Sequence, residues 1–468
     1  MTKVIFLYFF RVFNAPTHLG DEKVDTSSIV YAGLALIELT LNNPERTVVY
    51  KVKNPCSSRN ERPLIIAAAK ETKEFIKKAC SHFQKGYDAF KEGPIEVEME
   101  GHEVDFNIEL LMAQTDGKIK ILTTGLGGAY CLLCKSSSED AHNETKIKEG
   151  FEMDRKLDEL KELFIKLAKP DKKTGDLIIP REKGDYASRQ GLTGEPVLPE
   201  DVFREIAVLH AWLRCLGHML TIIYRVNANV KQYRESLGIW KESKIKRAKK
   251  KFQQKMITAC SMVLDKPLQG GGNTNTGDLA KRFFSPKNRE KIVSFFEGSQ
   301  EEKECLKKLL QNLNVILRLA SCSRKIKTEE LNDFCKETML LYLSQFSWYP
   351  MSQSMHQILA HLAERIDLNG GTGIGELSEQ GLEATNKEIR KGRNEFARKT
   401  GLEANFRDVF KRLFAMSDPI INYLKRESTC DNCYEKGHTS RKCTELMEIA
   451  DENPTEDGLN FVMSFPLL

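Results

Sequence analysis

Residues 355–400 read MHQILAHLAERIDLNGGTGIGELSEQGLEATNKEIRKGRNEFARKT. This stretch contains the residues on which the expected organisation of the rest of the chain depends. Two histidines, His356 and His361, lie in a segment that is typical of a helix. The glycines at 370–375 then predict a hinge. A second helix follows, in which Glu383 stands among basic residues at helical spacing. Histidines suited to a metal, and a carboxylate among cations, indicate metal-dependent work on an anionic polymer.

The composition is that of an ordinary globular protein. Apolar residues make up 41% and charged residues 29% of the 468 residues, and the net charge is +5. This length predicts two to four domains. No apolar run reaches the roughly 18 to 20 residues that cross a bilayer, so no membrane partner is expected. The run at 4–10 could be a weak secretory signal or a buried strand, and its brevity favours the strand.

The element pattern predicts an α+β chain with several domains. Strands are predicted over 28–41 and 47–53, a helix over 63–83, and one or two further strands before Asp116. From about residue 150 the pattern is almost wholly helical. These helices are expected at 151–169, 200–225 and 306–319, with a loop or linker over 170–199.

A first metal site is predicted around Cys131 and Cys134, which form a C-x-x-C pair. Such a pair supplies two of the four ligands of a tetrahedral zinc, and His356 and His361 are the candidates for the other two. A five-residue spacing requires that one histidine lies at a helix end or a bend. A closed Cys2His2 shell would be structural. The alternative is unrelated core cysteines and partly buried histidines.

A second zinc site is predicted near the C-terminus, in CDNCYEKGHTSRKC. Its ligands would be Cys430, Cys433, His438 and Cys443, which have the spacing of a zinc knuckle. Such knuckles grip nucleic acid, and three neighbouring cations suit phosphates, namely Lys436, Arg441 and Lys442. A purely structural or protein-binding knuckle is the alternative. Five of the 12 cysteines lie in these two clusters, which favours zinc and a reducing compartment over disulfides.

Two basic segments suit phosphates. Residues 241–255, KESKIKRAKKKFQQK, carry eight lysines and arginines on a helix-like stretch. They fit a DNA-binding patch, a nuclear-import patch or a solvated helix face. Residues 270–284 form a glycine- and asparagine-rich loop that opens a helix with Lys281 and Arg282, and backbone amides beside two cations suit a phosphate backbone.

The order of these pieces resembles the catalytic subunit of the V(D)J recombinase and the related Transib-type and RAG-like transposases. The resemblance covers about residues 20–425. It rests on motifs that follow one another in the family's order, with modest identity in the sequence between them: TDGK, AYCLLC, GNTNTGDLAKR, MHQILAHLAERI, IGELSEQGLEATNK, RNEFARK and SDPI. The terminal knuckle is similar to the tail of RAG-like transposases, which favours a protein of transposon origin.

The resemblance implies an RNase H-like α/β core with a D-D-E triad and two Mg²⁺ or Mn²⁺ ions. By motif, Asp116 and Glu383 would be the second and third acids, and Cys131, Cys134, His356 and His361 the family's zinc site. The implied reaction nicks DNA at terminal inverted repeats and then forms a hairpin. The DNA-contacting cations would be Lys281, Arg282, Lys387, Arg390 and Lys391.

One departure concerns the first acid of the triad. The resemblance places an Asp on the opening strand, but this chain reads FNAPTHLGDE there, and Asp21 comes late for that role. The dimerising and repeat-binding helices that the family places ahead of that strand are also missing from this sequence. A truncated copy, a degenerate copy or an altered first exon would each explain these departures. Three interpretations stay open: a recombinase core, a non-catalytic DNA-binding protein derived from a transposase, and a knuckle-bearing RNA-binding protein unrelated to transposition. The third explains the tail but not the order of Asp116 and Glu383.

The resemblance and the motifs together predict the domain organisation. The expected parts are a partial RNase H-like core (1–125), a CxxC zinc segment (126–200), a helical region with the HxxxxH ligands (201–370), the Glu383 helix and C-terminal helices (371–425), the knuckle (426–445) and a tail (446–468). The expected partners are double-stranded DNA, a second copy of the chain in a homodimer, and an accessory RAG-like second subunit. The expected location is the nucleus.

Overall fold

The chain divides into two compact units in the computed structural model. Unit 1 comprises Met1–Gly128, Arg155–Ala207 and Glu376–Arg426, and unit 2 comprises Ala129–Asp154, Val208–Gly375 and Glu427–Leu468. The described residues are 2–14, 28–41, 48–52, 57–69, 78, 93–99, 101–112, 121, 124–127, 130–171, 175, 177–180, 189–197, 205–231, 239–268, 273–378, 380–418 and 421.

Unit 1 is built on a mixed six-stranded sheet. Its strands are β1 (Thr2–Asn14), β2 (Ser28–Leu41), β3 (Val48–Lys51), β4 (Arg62–Ala69), β5 (Ile95–Met99) and β6 (His102–Met112). The order is β3-β2-β1-β6-β5, and β4 also pairs with β2. The central strand β1 runs antiparallel to β2 and parallel to β6. A separate two-stranded ribbon joins β7 (Lys169–Pro170) to β8 (Leu177–Ile178).

The predicted strands at 4–10, 28–41 and 47–53 are confirmed, but the helix predicted over 63–83 is wrong at its start. Residues Arg62–Ala69 form β4, which pairs antiparallel with β2. The run PLIIAAA is short and apolar, and periodicity alone does not separate a buried helix from a strand in such runs. The long partner strand decides the outcome, because pairing with β2 satisfies the backbone groups of this segment.

The helices have the following bounds. They are α1 (Glu144–Glu149), α2 (Leu157–Leu167), α3 (Val208–Asn227), α4 (Ile239–Cys260), α5 (Gly277–Phe284), α6 (Pro286–Ser294), α7 (Gln300–Ser321), α8 (Thr328–Phe346), α9 (Gln353–Leu368), α10 (Gln380–Lys391) and α11 (Leu402–Met416). The helices predicted at 151–169, 200–225 and 306–319 correspond to α2, α3 and α7. None of the helices in the described part of the chain combines the length and apolar character that a bilayer span requires.

Two helices of unit 1 pack on the sheet. Helix α10 contacts β1, α11 contacts β4, and a π-helical turn over Gly392–Phe396 joins the two helices. The Thr385 hydroxyl in α10 donates a 2.6 Å hydrogen bond to Glu61, which is buried just before β4. This bond fixes one face of α10 against the sheet, because a buried carboxylate requires a partner.

Unit 2 is a helical bundle around α3. This helix buries most of its residues, including Trp212 and Leu216, and contacts α4, α5, α7 and α9. Helix α7 begins at a capping box, in which Ser299 and Glu302 satisfy each other's backbone amides. Helices α8 and α9 pack on each other and on α7. The apolar faces of these six helices therefore share one core.

The glycine-rich break after α9 forms a loop that lies against the C-terminal end of α7. Gly373 donates a 3.0 Å hydrogen bond from its amide to the Arg324 carbonyl oxygen. A Cβ at Gly375 would collide with the carbonyl group of Ser321, at 2.5 Å from its carbon. Gly373 and Gly375 therefore allow close packing against the C-terminal end of α7.

Candidate metal centre

The cysteine segment folds back on itself at the start of unit 2. The amide of Cys131 donates to the Ser136 carbonyl oxygen at 2.9 Å, and the Leu133 amide points at the Cys131 sulfur at 3.4 Å. Both thiols are buried, with Cys131 0% and Cys134 3% exposed. An amide directed at sulfur favours the thiolate form that binds metals.

The two histidines lie on one helix, α9, which Ser352 caps by accepting a hydrogen bond from the Met355 amide. His356 is the fourth residue of α9 and lies in its first turn, at the helix end that the five-residue spacing requires. Both imidazoles are completely buried. Neutral imidazoles in such a position are good zinc ligands.

The four predicted ligands meet in the fold, although 222 residues separate Cys134 from His356. Their ligand atoms all lie within 4.8 Å of one another, and Cys134 Sγ is 3.4 Å from His356 Nε2. A tetrahedral zinc with ordinary Zn–S and Zn–N bonds sets its ligand atoms roughly 3.3 to 3.8 Å apart. This buried Cys2His2 group could therefore bind a zinc ion, with no open position for a substrate.

The thiols and imidazoles perturb one another's protonation. The pKa of Cys134 lies far below its ordinary value, because Cys131 donates a hydrogen bond to its sulfur and both histidines face it. Burial, with the neighbouring Cys134 added, raises the pKa of Cys131. Burial also lowers the pKa of His356, which keeps that ring neutral. Metal binding to this set would release the proton that Cys131 holds.

The histidine nitrogens support a metal in this position. Within the described residues, His356 Nδ1 and both ring nitrogens of His361 lack a well-formed hydrogen bond, although all are buried. Burying a polar atom without a hydrogen-bond partner costs free energy. A bound metal ion removes this cost at the ring nitrogen that coordinates it. The ring of Phe151 stands edge-on to His356, with 4.8 Å between their centroids.

A hydrogen-bonded clamp that the sequence did not reveal holds the two halves of the centre together. The His142 ring nitrogens lie 3.2 Å from the Ser138 carbonyl oxygen and 3.1 Å from the Tyr349 carbonyl oxygen. The Tyr342 hydroxyl donates to the same Tyr349 oxygen at 2.6 Å, and His218 contacts that hydroxyl at 2.9 Å. His142 therefore ties the segment after the cysteines to the loop before α9. An isolated histidine has no spacing signal that predicts such a contact.

The predicted DNA-contacting residues of unit 2 lie on α5. Lys281 and Arg282 are both exposed. The Arg282 guanidinium donates to the carbonyl oxygens of Cys260 and Ser261, at 2.9 and 3.3 Å. Arg282 thus caps the C-terminal end of α4, where a cation also interacts favourably with the helix dipole. In unit 1, the predicted cations Lys387, Arg390 and Lys391 are exposed on α10.

Several predicted sites lie outside the described residues. They are Asp116, the knuckle ligands Cys430, Cys433, His438 and Cys443, and the knuckle cations Lys436, Arg441 and Lys442. Glu383 lies in α10, and the structure describes its backbone only. The Cys2His2 group is accordingly the one predicted metal site whose geometry is defined.

Comparison with known proteins does not assign the chain to a family. No protein-family model matches the chain. No characterised protein matches it at significant sequence similarity either.

Proposed function

We propose that this chain is the core of a RAG-like DNA recombinase or transposase. Its substrate is double-stranded DNA at terminal inverted repeats, which it nicks and then converts to hairpins with Asp116 and Glu383 as acids. The Cys2His2 group holds a structural zinc, and the terminal knuckle holds a second zinc. A homodimer in the nucleus with an accessory RAG-like subunit is the assembly that this activity requires.

The observation that carries the proposal is the meeting of the C-x-x-C pair with the H-x-x-x-x-H pair. The resemblance assigns Cys131, Cys134, His356 and His361 to one zinc, and these residues lie on segments that are remote in the chain. Their burial around a common point supports that assignment. Two motifs that occurred in the chain by coincidence would have no reason to converge.

The topology of unit 1 lends further support to a two-metal site. Asp116 follows the last residue of β6 by four positions, and β6 pairs parallel with β1. Helix α10, which carries Glu383, contacts the same β1. Two divalent ions need carboxylates from separate elements, and, when bound, they would stabilise the attacking and leaving oxygens of phosphodiester transfer.

A specific observation favours the second interpretation, a non-catalytic DNA-binding protein. The sequence of β1, TKVIFLYFFRVFN, contains no carboxylate. Two-metal catalysis relies on a bridging acid, and the resemblance places that acid on this strand. A chain without it would keep its fold, its zinc and its affinity for DNA, but not its chemistry.

A hairpin assay separates the two functions. The purified chain is incubated with Mn²⁺ and a pre-nicked duplex end, beside the variants Glu383→Gln and Glu388→Gln, which make the same chemical change in the same helix. The proposed recombinase gives hairpin product with the unaltered chain and with Glu388→Gln, and none with Glu383→Gln. No product from any of the three, together with retained duplex binding, would establish the non-catalytic function. Failure to bind duplex DNA would rule out both.

A further inference from the structure

The basic run at 241–255 forms part of α4, and its cations divide into two groups. Phe252 and Met256 bury one side of the helix, which contacts α3 and α6. Near this side, Lys251 and Lys255 both pair with Glu297, at 2.8 and 3.5 Å. These lysines hold α4 to the segment between α6 and α7, and the one carboxylate of Glu297 offsets part of their charge.

A second group of cations faces solvent. Lys246, Arg247 and Lys250 are exposed, and none of them forms an ion pair within the described residues. Their spacing (i, i+1 and i+4) places them within about 100° of the helix circumference and about 6 Å of its length. The sequence contains no Asp or Glu from Ser243 to Leu264. This α4 face is therefore a compact positive surface, and Glu242, one turn before Lys246, forms no ion pair with it within the described residues.

We infer that the α4 face, formed by Lys246, Arg247 and Lys250, binds the phosphate backbone of duplex DNA. The inference rests on the DNA partner of the proposed function but not on its chemistry. Three cations on one rigid face match a dense row of phosphates, and they carry no geometry that reads a base. They position the duplex without selecting its sequence.

The folded state of the run argues against a nuclear-import signal. A receptor that reads a basic run as an extended peptide would have to unwind α4. Unwinding would expose Phe252 and Met256 and break both ion pairs of Glu297. The exposed cations are available to a phosphate backbone without any of these losses.

The test is the salt dependence of duplex binding by the full chain. Two double variants make the same charge change in the same helix. The first is Lys246→Gln with Lys250→Gln, on the exposed face, and the second is Lys251→Gln with Lys255→Gln, at Glu297. Zinc content, measured on both, reports that unit 2 has folded.

The affinity for a random-sequence duplex is measured between 50 and 200 mM salt. Each lost phosphate contact makes the slope of log K against log salt less steep by about 0.9. The first variant is expected to lose about 1.8 from the slope, so the unaltered chain loses about 12-fold more affinity than this variant over that range. The second variant is expected to keep the slope of the unaltered chain.

Equal slopes for the unaltered chain and the first variant would overturn the inference while leaving the proposed function standing. An equal change in both variants would also overturn it, because net charge alone would then explain the effect. If the unaltered chain does not bind the duplex at all, the inference and the proposed function fall together.

Discussion

Cys134 and Cys335 are both buried thiols of unit 2, but their surroundings differ. Cys134 faces Cys131 and two imidazoles, whereas burial alone raises the pKa of Cys335 above its ordinary value. We expect Cys134→Ser to lose the zinc and about 3 kcal/mol or more of stability, because buried ligands are left without their ion. Cys335→Ser makes the same change without touching the centre, and it is expected to keep one equivalent of zinc at this site. Elemental analysis and urea denaturation measure both. Equal zinc loss in the two variants would contradict the assignment.

His218 makes the stability of unit 2 depend on pH. Burial, with His142 nearby, lowers the pKa of His218 from 6.5 to about 3, and its ring also faces Tyr342 and Tyr349. As pH falls, the unfolded chain takes up this proton first, so stability is full above about pH 6.5 and is lost below it. The expected loss from this group is about 2 kcal/mol between pH 7 and pH 5.

The variant His218→Gln tests this linkage. Glutamine offers a hydrogen bond to the Tyr342 hydroxyl but does not titrate, so the fall in stability between pH 7 and pH 5 should shrink by about 2 kcal/mol. Urea denaturation at the two pH values measures the difference, and contributions from other groups cancel. An unchanged fall would show that His218 is not the group responsible.

At the residue scale, the sequence predicted the site residues that belong to a motif with a characteristic spacing. The four ligands of the Cys2His2 group were found because each pair has its own spacing and a zinc needs four donors. The clamp through His142 and Tyr342 was not found, since it depends on the contact of the His142 ring with the Tyr349 carbonyl oxygen, which lies 207 residues away in the chain. Such contacts depend on the tertiary fold and leave no local pattern.

Two glycines of unit 2 have opposite tolerance for a methyl group. Gly375 sits against the Ser321 carbonyl, whereas no atom lies within 4 Å of a Cβ at Gly217, in the middle of α3. We expect Gly375→Ala to destabilise unit 2 by about 1–3 kcal/mol, because the loop after α9 must move away from α7. Gly217→Ala should stabilise it by about 0.5–1 kcal/mol through helix propensity. Thermal unfolding of both variants checks the signs, and a stabilised Gly375→Ala would mean that the loop is not held by this contact.

At the element scale, long periodic segments were predictable, whereas the short apolar run that became β4 was not. The strand β2 has the predicted bounds, because fourteen residues of apolar and β-branched character leave little choice. The segment that became β4 was misread, since its state is decided by a partner strand more than twenty residues earlier. The contact of the glycine loop with α7 was not predicted, because glycines that permit close packing and glycines that permit motion look the same in a sequence.

The division into two units predicts how the whole molecule responds to a chelator. All four ligands of the Cys2His2 group belong to unit 2, while the mixed sheet belongs to unit 1. We expect o-phenanthroline to lower the temperature of the helical unfolding transition by several degrees, because an ion that binds only the folded state stabilises it. The β-sheet transition, followed by infrared absorption, should keep its temperature. A parallel shift of both transitions would show that the units unfold as one.

At the scale of the whole molecule, the sequence predicted which regions form strands and helices better than it predicted which regions belong to the same compact unit. An α+β region followed by a helical region is present in the described residues. However, unit 1 takes residues from three separate parts of the chain, and residues 189–197, a predicted loop or linker, belong to it. There the Thr193 hydroxyl donates to the Gly125 carbonyl oxygen at 2.9 Å. Contacts between residues that are far apart in the sequence determine which segments belong to one unit, and hydrophobic periodicity does not predict such contacts.

The distance along the chain between the two ligand pairs has a consequence for biosynthesis. A ribosome that adds about 5–20 residues per second needs roughly 11 to 44 s to pass from Cys134 to His356. During that interval the nascent polypeptide presents two neighbouring thiols with no imidazoles to complete their coordination. Binding of a metal by all four ligands would therefore be one of the last events in the maturation of unit 2, and the thiols would be open to oxidation until then.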